Sequence, residues 1–185
     1  GNSEQQRYWL GQLIVAHDGA GAAATERSLY LAAQAATELA ELRYQQYRQA
    51  RLVLPLSASL TAKRALLEET LEAYSKVLDY QVAIFYSQAS YRMADVYALL
   101  SRDLMDSQRP PSLSTMELEQ YEMLLEEQAY PFEDQAIAIH ENNVRRVSEE
   151  NYDQWVRRSF SDLAQLLPAR YDKPERLVDY ASDLR

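Results

Sequence analysis

The sequence predicts an all-α domain in which antiparallel helix pairs stack in chain order as an α-solenoid, and three observations predict it. Ala, Leu, Glu, Gln and Arg dominate a chain of 185 residues with only four Gly and six Pro, a composition that favours helix over strand. Apolar residues recur at spacings of three and four, as a buried helical stripe requires, and no alternating stretch reads as a strand. The breaks between stripes are short, and short links make successive helices antiparallel neighbours. A single domain over residues 1–185 is expected, with an N-terminal helix in 1–18, stacked pairs over 22–167 and a tail or short helix over 168–185.

Each element has a local reason. Gln5 to Ala16 carries Tyr8, Trp9, Leu13 and Ile14 as the apolar members of a first amphipathic stretch. Ala22 to about Arg51 reads as one long helix, Ala-rich at first, ending in Tyr44, Tyr47 and Leu52 before Pro55 stops it. Ser57, Ser59 and Thr61 are candidate caps for a third helix whose Leu67, Leu71, Tyr74 and Leu78 share a face. After a break at 79–81 the pattern resumes through Phe85, Ala89, Met93, Val96 and Leu100, closing near Asp106 ahead of Pro110 and Pro111. Ser114-Thr115-Met116-Glu117 is a capping box, so a helix should start there, on Leu118, Tyr121 and Leu125. Pro131 is expected to end or kink that helix, with a further one carrying Ile137, His140, Val144 and Val147. The last clear helix runs from about Tyr152 to Leu167 on Val156, Phe160 and Leu163, with Pro168 terminating it; Lys173 to Arg185 is a short helix or a frayed tail.

Composition and motifs narrow the chemistry. The chain has no cysteine, which removes disulfides, thiolate metal sites and cysteine nucleophiles. A formal net charge of −9 argues against broad contact with phosphate backbones, so no nucleic-acid partner is expected. No stretch approaches the roughly 20 apolar residues that span a bilayer. The chain opens Gly1-Asn2-Ser3 without an initiator Met; Gly1 reads as a tag remnant, an opening compatible with removal of a signal peptide or lipid anchor. Leu13 to Ala16 followed by Gly19-Ala20-Gly21-Ala22-Ala23-Ala24 imitates a dinucleotide fingerprint, but the helix after it is too long and Leu52-Val53-Leu54-Pro55 supplies no strand ending in a ribose-binding acid. Neither His17 nor His140 has a Glu three residues before it, so no di-iron pattern forms, and His140 is expected as a core or interface histidine with a hydrogen-bonded ring. Glu68-Glu69-Glu72 and Glu126-Glu127 lie in charged helix faces and read as solvated. No catalytic residue, metal site or cofactor is expected, and the protein is expected not to be an enzyme.

Weak self-similarity refines the architecture. Met93, Ala94 and Tyr97 fit the large, small and aromatic slots of a tetratricopeptide first helix, with Ser90 in place of the usual aromatic. Leu71-Glu72-Ala73-Tyr74 and Ala136-Ile137-Ala138-Ile139-His140 look like second-helix signatures, which makes the expected array a tetratricopeptide-like right-handed superhelix. From about Leu52 to Pro174 the chain resembles tetratricopeptide-like proteins of the Gram-negative cell envelope. The segments that carry the resemblance are Leu52-Val53-Leu54-Pro55-Leu56, Ala89-Ser90-Tyr91-Arg92-Met93-Ala94, Leu118-Glu119-Gln120-Tyr121, Leu124 through Phe132, Ile139-His140-Glu141-Asn142-Asn143 and Leu166 through Tyr171. The resemblance implies a non-catalytic, periplasmic or outer-membrane-attached scaffold, because such proteins are often associated with TonB/ExbB-type or Tol-like energy-transduction systems and with motility machinery.

Stacked helix pairs line a concave surface with their first helices, suited to an extended peptide or a partner helix. In the register above, Tyr91, Arg92 and Asp95 face that groove; the alternative is that Tyr91 packs between helices and the charges are solvated. Charge distribution adds a second lead. Ser114 to Gln135 holds seven acidic residues and no Lys or Arg, whereas Arg145, Arg146, Arg157, Arg158 and Arg170 come later. Antiparallel packing could neutralise the two sets internally, or Arg157 and Arg158 with Trp155 could present a patch to an acidic partner. A protein or peptide partner is therefore the expected ligand. The competing reading is a structural segment that spaces or oligomerises a larger envelope assembly without a peptide groove.

Overall fold

The computed structural model describes residues 2–146 and 152–172, and these are helical with no strand among them. Helices α1 (Asn2–Asp18), α2 (Glu26–Gln49), α3 (Leu56–Asp79), α4 (Ala83–Met105), α5 (Thr115–Arg145), α6 (Gln154–Leu166) and α7 (Pro168–Tyr171) follow one another, with a 3-10 turn at Gly21–Ala23 between the first two. Each helix packs on the next, and two additional contacts, α2 on α4 and α4 on α6, bring those three helices side by side with α4 in the middle.

Small and aromatic side chains set this layout. The first half of α2 buries Ala32, Ala33, Ala36 and Ala40, which let its backbone approach its neighbours closely, and the second half buries Tyr44 and Tyr47. On α3, Leu67, Tyr74 and Val77 complete the same core, and α4 adds Ala89, Val96, Leu100 and Leu104. Buried tyrosines need a partner for each hydroxyl. Tyr47 donates to the Val96 carbonyl at 2.8 Å, Tyr74 to Glu41 at 3.0 Å and Tyr80 to Asp18 at 3.0 Å, so each ties two helices together. Lys63, 1% exposed, is the cation of this core: its ammonium donates to the Ala50 carbonyl at 2.6 Å, pairs with Asp103 and lies 4.8 Å from the Tyr47 ring centre. It thereby closes the C-terminal end of α2 and joins α2, α3 and α4.

Helix ends follow local chemistry, with several departures from the sequence expectation. The expected single helix from Ala22 to Arg51 is divided: the chain passes through the 3-10 turn, with Gly21 at φ +49°, before Thr25 and Ser28 form a capping box that starts α2. Ser57, Ser59 and Thr61 do not cap α3. Pro55 precedes its first turn, while Ser59 Oγ donates to the Val53 carbonyl at 2.6 Å and Thr61 Oγ1 to Ser57 O at 2.9 Å. The Ser114–Glu117 capping box does start α5.

Pro131 neither ends nor divides α5, which is one helix of 31 residues. Its missing N–H leaves the Glu127 carbonyl without a helical partner, but Glu127 and Pro131 are both exposed, so water can satisfy the group. Leu125 and Ala129 before it, and Ala136 and His140 after it, anchor the helix from both sides. Pro168 does not simply stop α6; it occupies the first position of α7, where its fixed φ and absent donor cost nothing. Val147 and the segment 173–185 lie outside the described residues.

Candidate partner-binding site

The contiguous face of α2, α4 and α6 carries the densest polar network of the protein. It begins on α2, where Gln34, Glu38, Glu41, Gln45 and Arg48 recur at spacings of three and four as one polar stripe. Glu41 is its centre. Its carboxylate accepts from Arg92 Nε at 3.1 Å and from a terminal nitrogen of the same guanidinium at 3.0 Å, a two-point fork. The Tyr74 hydroxyl donates to the same carboxylate at 3.0 Å and Gln45 at 3.0 Å.

Arg92 also faces Asp95, one turn along α4, at 3.6 Å, and Asp95 accepts the Tyr44 hydroxyl. Burial works to lower the Arg92 pKa, but Glu41 and the neighbouring Tyr44, Tyr74 and Asp95 outweigh it and hold the guanidinium more firmly charged than usual. Its flat face lies 4.3 Å from the Tyr44 ring centre and 5.2 Å from that of Trp155. Arg158 stands 4.8 Å from the same indole ring. Trp155 is thus a partly buried aromatic with two guanidinium groups within cation–π distance.

Beneath it the network continues inward. Tyr91 packs against Trp155 at 5.4 Å and against His140 at 5.5 Å. Burial raises the Tyr91 hydroxyl pKa, and the charges of Asp162 and Asp95 add to the effect. His140 is 1% exposed; Nδ1 meets Ser159 Oγ at 3.2 Å and Nε2 lies 3.8 Å from Asp162. Asn143 donates to Ser159 Oγ at 2.9 Å, so the hydroxyl binds α6 to two side chains of α5. Burial lowers the histidine pKa against the opposing pull of Asp162 and Asp95, which favours neutral imidazole.

Of the six residues singled out in the sequence, Tyr91, Arg92, Trp155 and Arg158 meet in one cluster, and Asp95 joins it through Arg92. Tyr91 is packed between helices, so its ring supports the surface from below instead of presenting itself to a groove. Arg157 belongs elsewhere, 5.7 Å from the Tyr152 ring. The remaining arginines have separate neighbours: Arg145 and Arg170 both meet Glu141, at 3.4 and 2.6 Å, and Arg146 stacks 3.9 Å from the Tyr86 ring. Sequence reasoning missed Glu41, Tyr44 and Tyr74. The polar stripe around Glu41 was the available signal; its partners on α4 lie 51 residues away, beyond the reach of helical spacing.

A separate recess of about 360 Å³ opens where α4 begins and α5 ends, lined by Tyr86, Ser87, Asn143, Arg146, Asp153 and Val156 among others. Its polar groups already serve the fold: Ser87 donates to Asp153, and Asp153 caps α6 through the backbone N–H groups of Trp155 and Val156 at 2.8 and 3.0 Å. Among the described residues no helix is long and apolar enough to cross a membrane, and no group of three metal-ligating side chains forms.

No protein-family model, curated protein or solved structure matches the chain.

Proposed function

We propose that the protein is a non-catalytic interaction scaffold of tetratricopeptide-like architecture, whose α2–α4–α6 face receives a segment of a partner protein around Trp155. The observation that carries this reading is the indole itself: partly exposed, contacted by Arg92 and Arg158 and packed on Tyr91, on a surface built from three helices. Aromatic and arginine side chains are the usual energetic anchors of protein interfaces, and one already fixed in place loses little side-chain entropy on binding. The side-by-side run of α2, α4 and α6, with α3 and α5 on the other flank of α4, supports a superhelix in which first helices line the inner surface. The resemblance over residues 52–174 extends the proposal to a periplasmic or envelope-attached adaptor that serves a TonB/ExbB-type or Tol-like assembly.

The test is an affinity pull-down of the full-length protein from membranes of its own organism, set against a Trp155→Ala/Arg158→Ala variant with unchanged circular dichroism. Envelope components retained by the native protein and lost by the variant would support the adaptor. Equal recovery by both would remove this face from consideration.

One observation favours the alternative, a structural or oligomerising segment. Helix α1 turns Leu10 and Ile14 towards the body of the protein but leaves Tyr8, Trp9, Leu13 and Val15 exposed, large apolar side chains that its own packing does not use. Sedimentation of the native chain beside a Trp9→Ser/Val15→Ser variant distinguishes the readings: a stable oligomer that this variant dissolves belongs to the structural role.

A further inference from the structure

Helix α5 contains a regularity that its packing does not use. Met116, Met123 and Tyr130 follow one another at intervals of seven residues, which places them in one column along the helix. The column points away from the core. Leu125, the buried residue of this stretch, lies on the opposite side, whereas Met116, Met123 and Tyr130 are 69%, 60% and 69% exposed. Leu124, also exposed, lies about 100° around the helix from Met123 and outside the column.

The charges obey the same interval. Three residues after each member of the column stands an acid, Glu119, Glu126 and Glu133, and four residues after stand Gln120, Glu127 and Asp134. Positions three and four along a helix flank the starting residue on either side, so the apolar column has a carboxylate border on both edges. Nearly all of that border is unneutralised. Glu122, outside it, faces Arg109 at 3.6 Å, and Glu117 is engaged in the cap. Glu119, Glu126, Glu127, Glu133 and Asp134 have no cationic side chain within 4.0 Å among the described residues.

We propose that this outer face of α5 docks a basic amphipathic helix of a partner protein, with that helix's apolar stripe against Met116, Met123 and Tyr130 and its Lys and Arg residues against the carboxylate borders. The column spans fifteen residues, about 21 Å at the helical rise, which matches four turns of a partner laid alongside. Methionine suits such a surface because its unbranched, polarisable side chain adapts to differently shaped apolar partners. The borders select against other occupants: an anionic lipid surface or nucleic acid would meet five unpaired carboxylates, and a second copy of a chain with net charge −9 would bring like charge. This face is separate from the Trp155 surface, and its test does not depend on that proposal.

The experiment titrates the full chain with an amidated 18-residue helical peptide carrying Leu at positions i, i+3, i+4 and i+7 and Lys elsewhere, followed by calorimetry at low and physiological salt. A counterpart with Glu in place of Lys is run in parallel. Expected are saturable binding of the Lys peptide only, weakening with salt, and a loss of about tenfold or more in a Met116→Gln/Met123→Gln/Tyr130→Gln variant. Neutralising Glu119, Glu126, Glu127 and Glu133 to Gln should weaken binding and flatten its salt dependence, whereas Asp79→Asn at the C-terminal end of α3 should leave it unchanged. Circular dichroism confirms that each variant keeps its helix content. Absence of binding, equal binding of the Glu peptide, survival in the Met/Tyr variant, or equal loss in the α3 control would each overturn the proposal. A dimer of the native chain that the Met/Tyr variant dissolves would overturn it too, by assigning the face to self-association.

Discussion

The fork between Arg92 and Glu41 decides whether Arg92 is available to a partner or belongs to the scaffold, and a double-mutant cycle measures it. Arg92→Ala removes two charge-assisted hydrogen bonds, of the kind that contribute about 1.5–3 kcal/mol, from a side chain only 17% exposed. It also removes the guanidinium from the Tyr44 and Trp155 rings, a further ~0.5–1 kcal/mol at a partly exposed site. Together these predict a cost of about 3 kcal/mol, or a fall in Tm of about 6–12 °C for a chain of this size. Glu41→Ala should cost about 3 kcal/mol as well: Arg92 keeps Asp95 nearby, but the fork is lost and the buried Tyr74 hydroxyl loses its acceptor. If the two groups act on each other, the double variant should be more stable than the sum of the single changes predicts, with a coupling of about 1–1.5 kcal/mol. Urea unfolding followed by Trp155 fluorescence, in a Trp9→Phe background that silences the exposed indole, supplies both stability and a local reading. Arg92→Ala should shift the Trp155 emission in the folded state, because it uncovers one face of the ring. Additivity within ~0.3 kcal/mol, with unchanged emission, would refute the reasoning and return Arg92 to the pool of freely available surface charges.

Three other perturbations follow from the same geometry. Lys63→Ala strands the Ala50 carbonyl and opens space in the core, so it should cost about 3 kcal/mol, whereas Lys63→Met, which keeps most of the stem, should cost about half that in urea titrations; equal losses would mean that the stem's packing contributes nothing and the ammonium contacts account for the whole cost. Because burial holds the His140 pKa below its ordinary value, the unfolded chain takes up that proton more readily. Stability from this residue is therefore complete above about pH 6.5 and declines as the pH falls towards the lower folded value, so thermal melts between about pH 7.5 and 5 should lose less in His140→Gln than in the native chain. Pro131→Ala restores a helical donor opposite the exposed Glu127 carbonyl and should stabilise the protein by about 1–3 kcal/mol; a fall in Tm would show that the proline ring has a packing role.

The all-helical character of the described residues was legible because it rests on local spacing, and the Ser114 cap was legible because both of its members lie within one turn. Pro131 misled for the opposite reason. A proline's local penalty can be read from four residues, but the burial of Leu125, Ala129, Ala136 and His140 that outweighs it depends on how α4 and α6 lie against α5. Ser57, Ser59 and Thr61 misled because a hydroxyl near a helix start has more than one acceptor, and Ser59 found Val53. The candidate site was half visible. Trp155 and Arg158 stand three apart on one helix and meet as that spacing requires, while the same spacing gives no warning that Arg157 turns to Tyr152. The clasp of Glu41 on Arg92 joins helices separated by 51 residues, and only tertiary packing brings those side chains together.

The buried phenols give the fold an alkaline limit as well as cross-links. Burial raises the hydroxyl pKa of Tyr44, Tyr47, Tyr74 and Tyr91, with nearby carboxylates adding to the rise, so the folded chain retains protons that the unfolded chain releases near pH 10. Stability from these residues is intact below about pH 10 and falls above it by up to about 1.4 kcal/mol per pH unit for each phenol. The four should therefore ionise together as the helices separate, and their share of the ultraviolet absorbance of phenolate, four tyrosines of fourteen, should rise in a single sharp step. The chain carries its own optical indicator of the moment at which α2, α3 and α4 come apart.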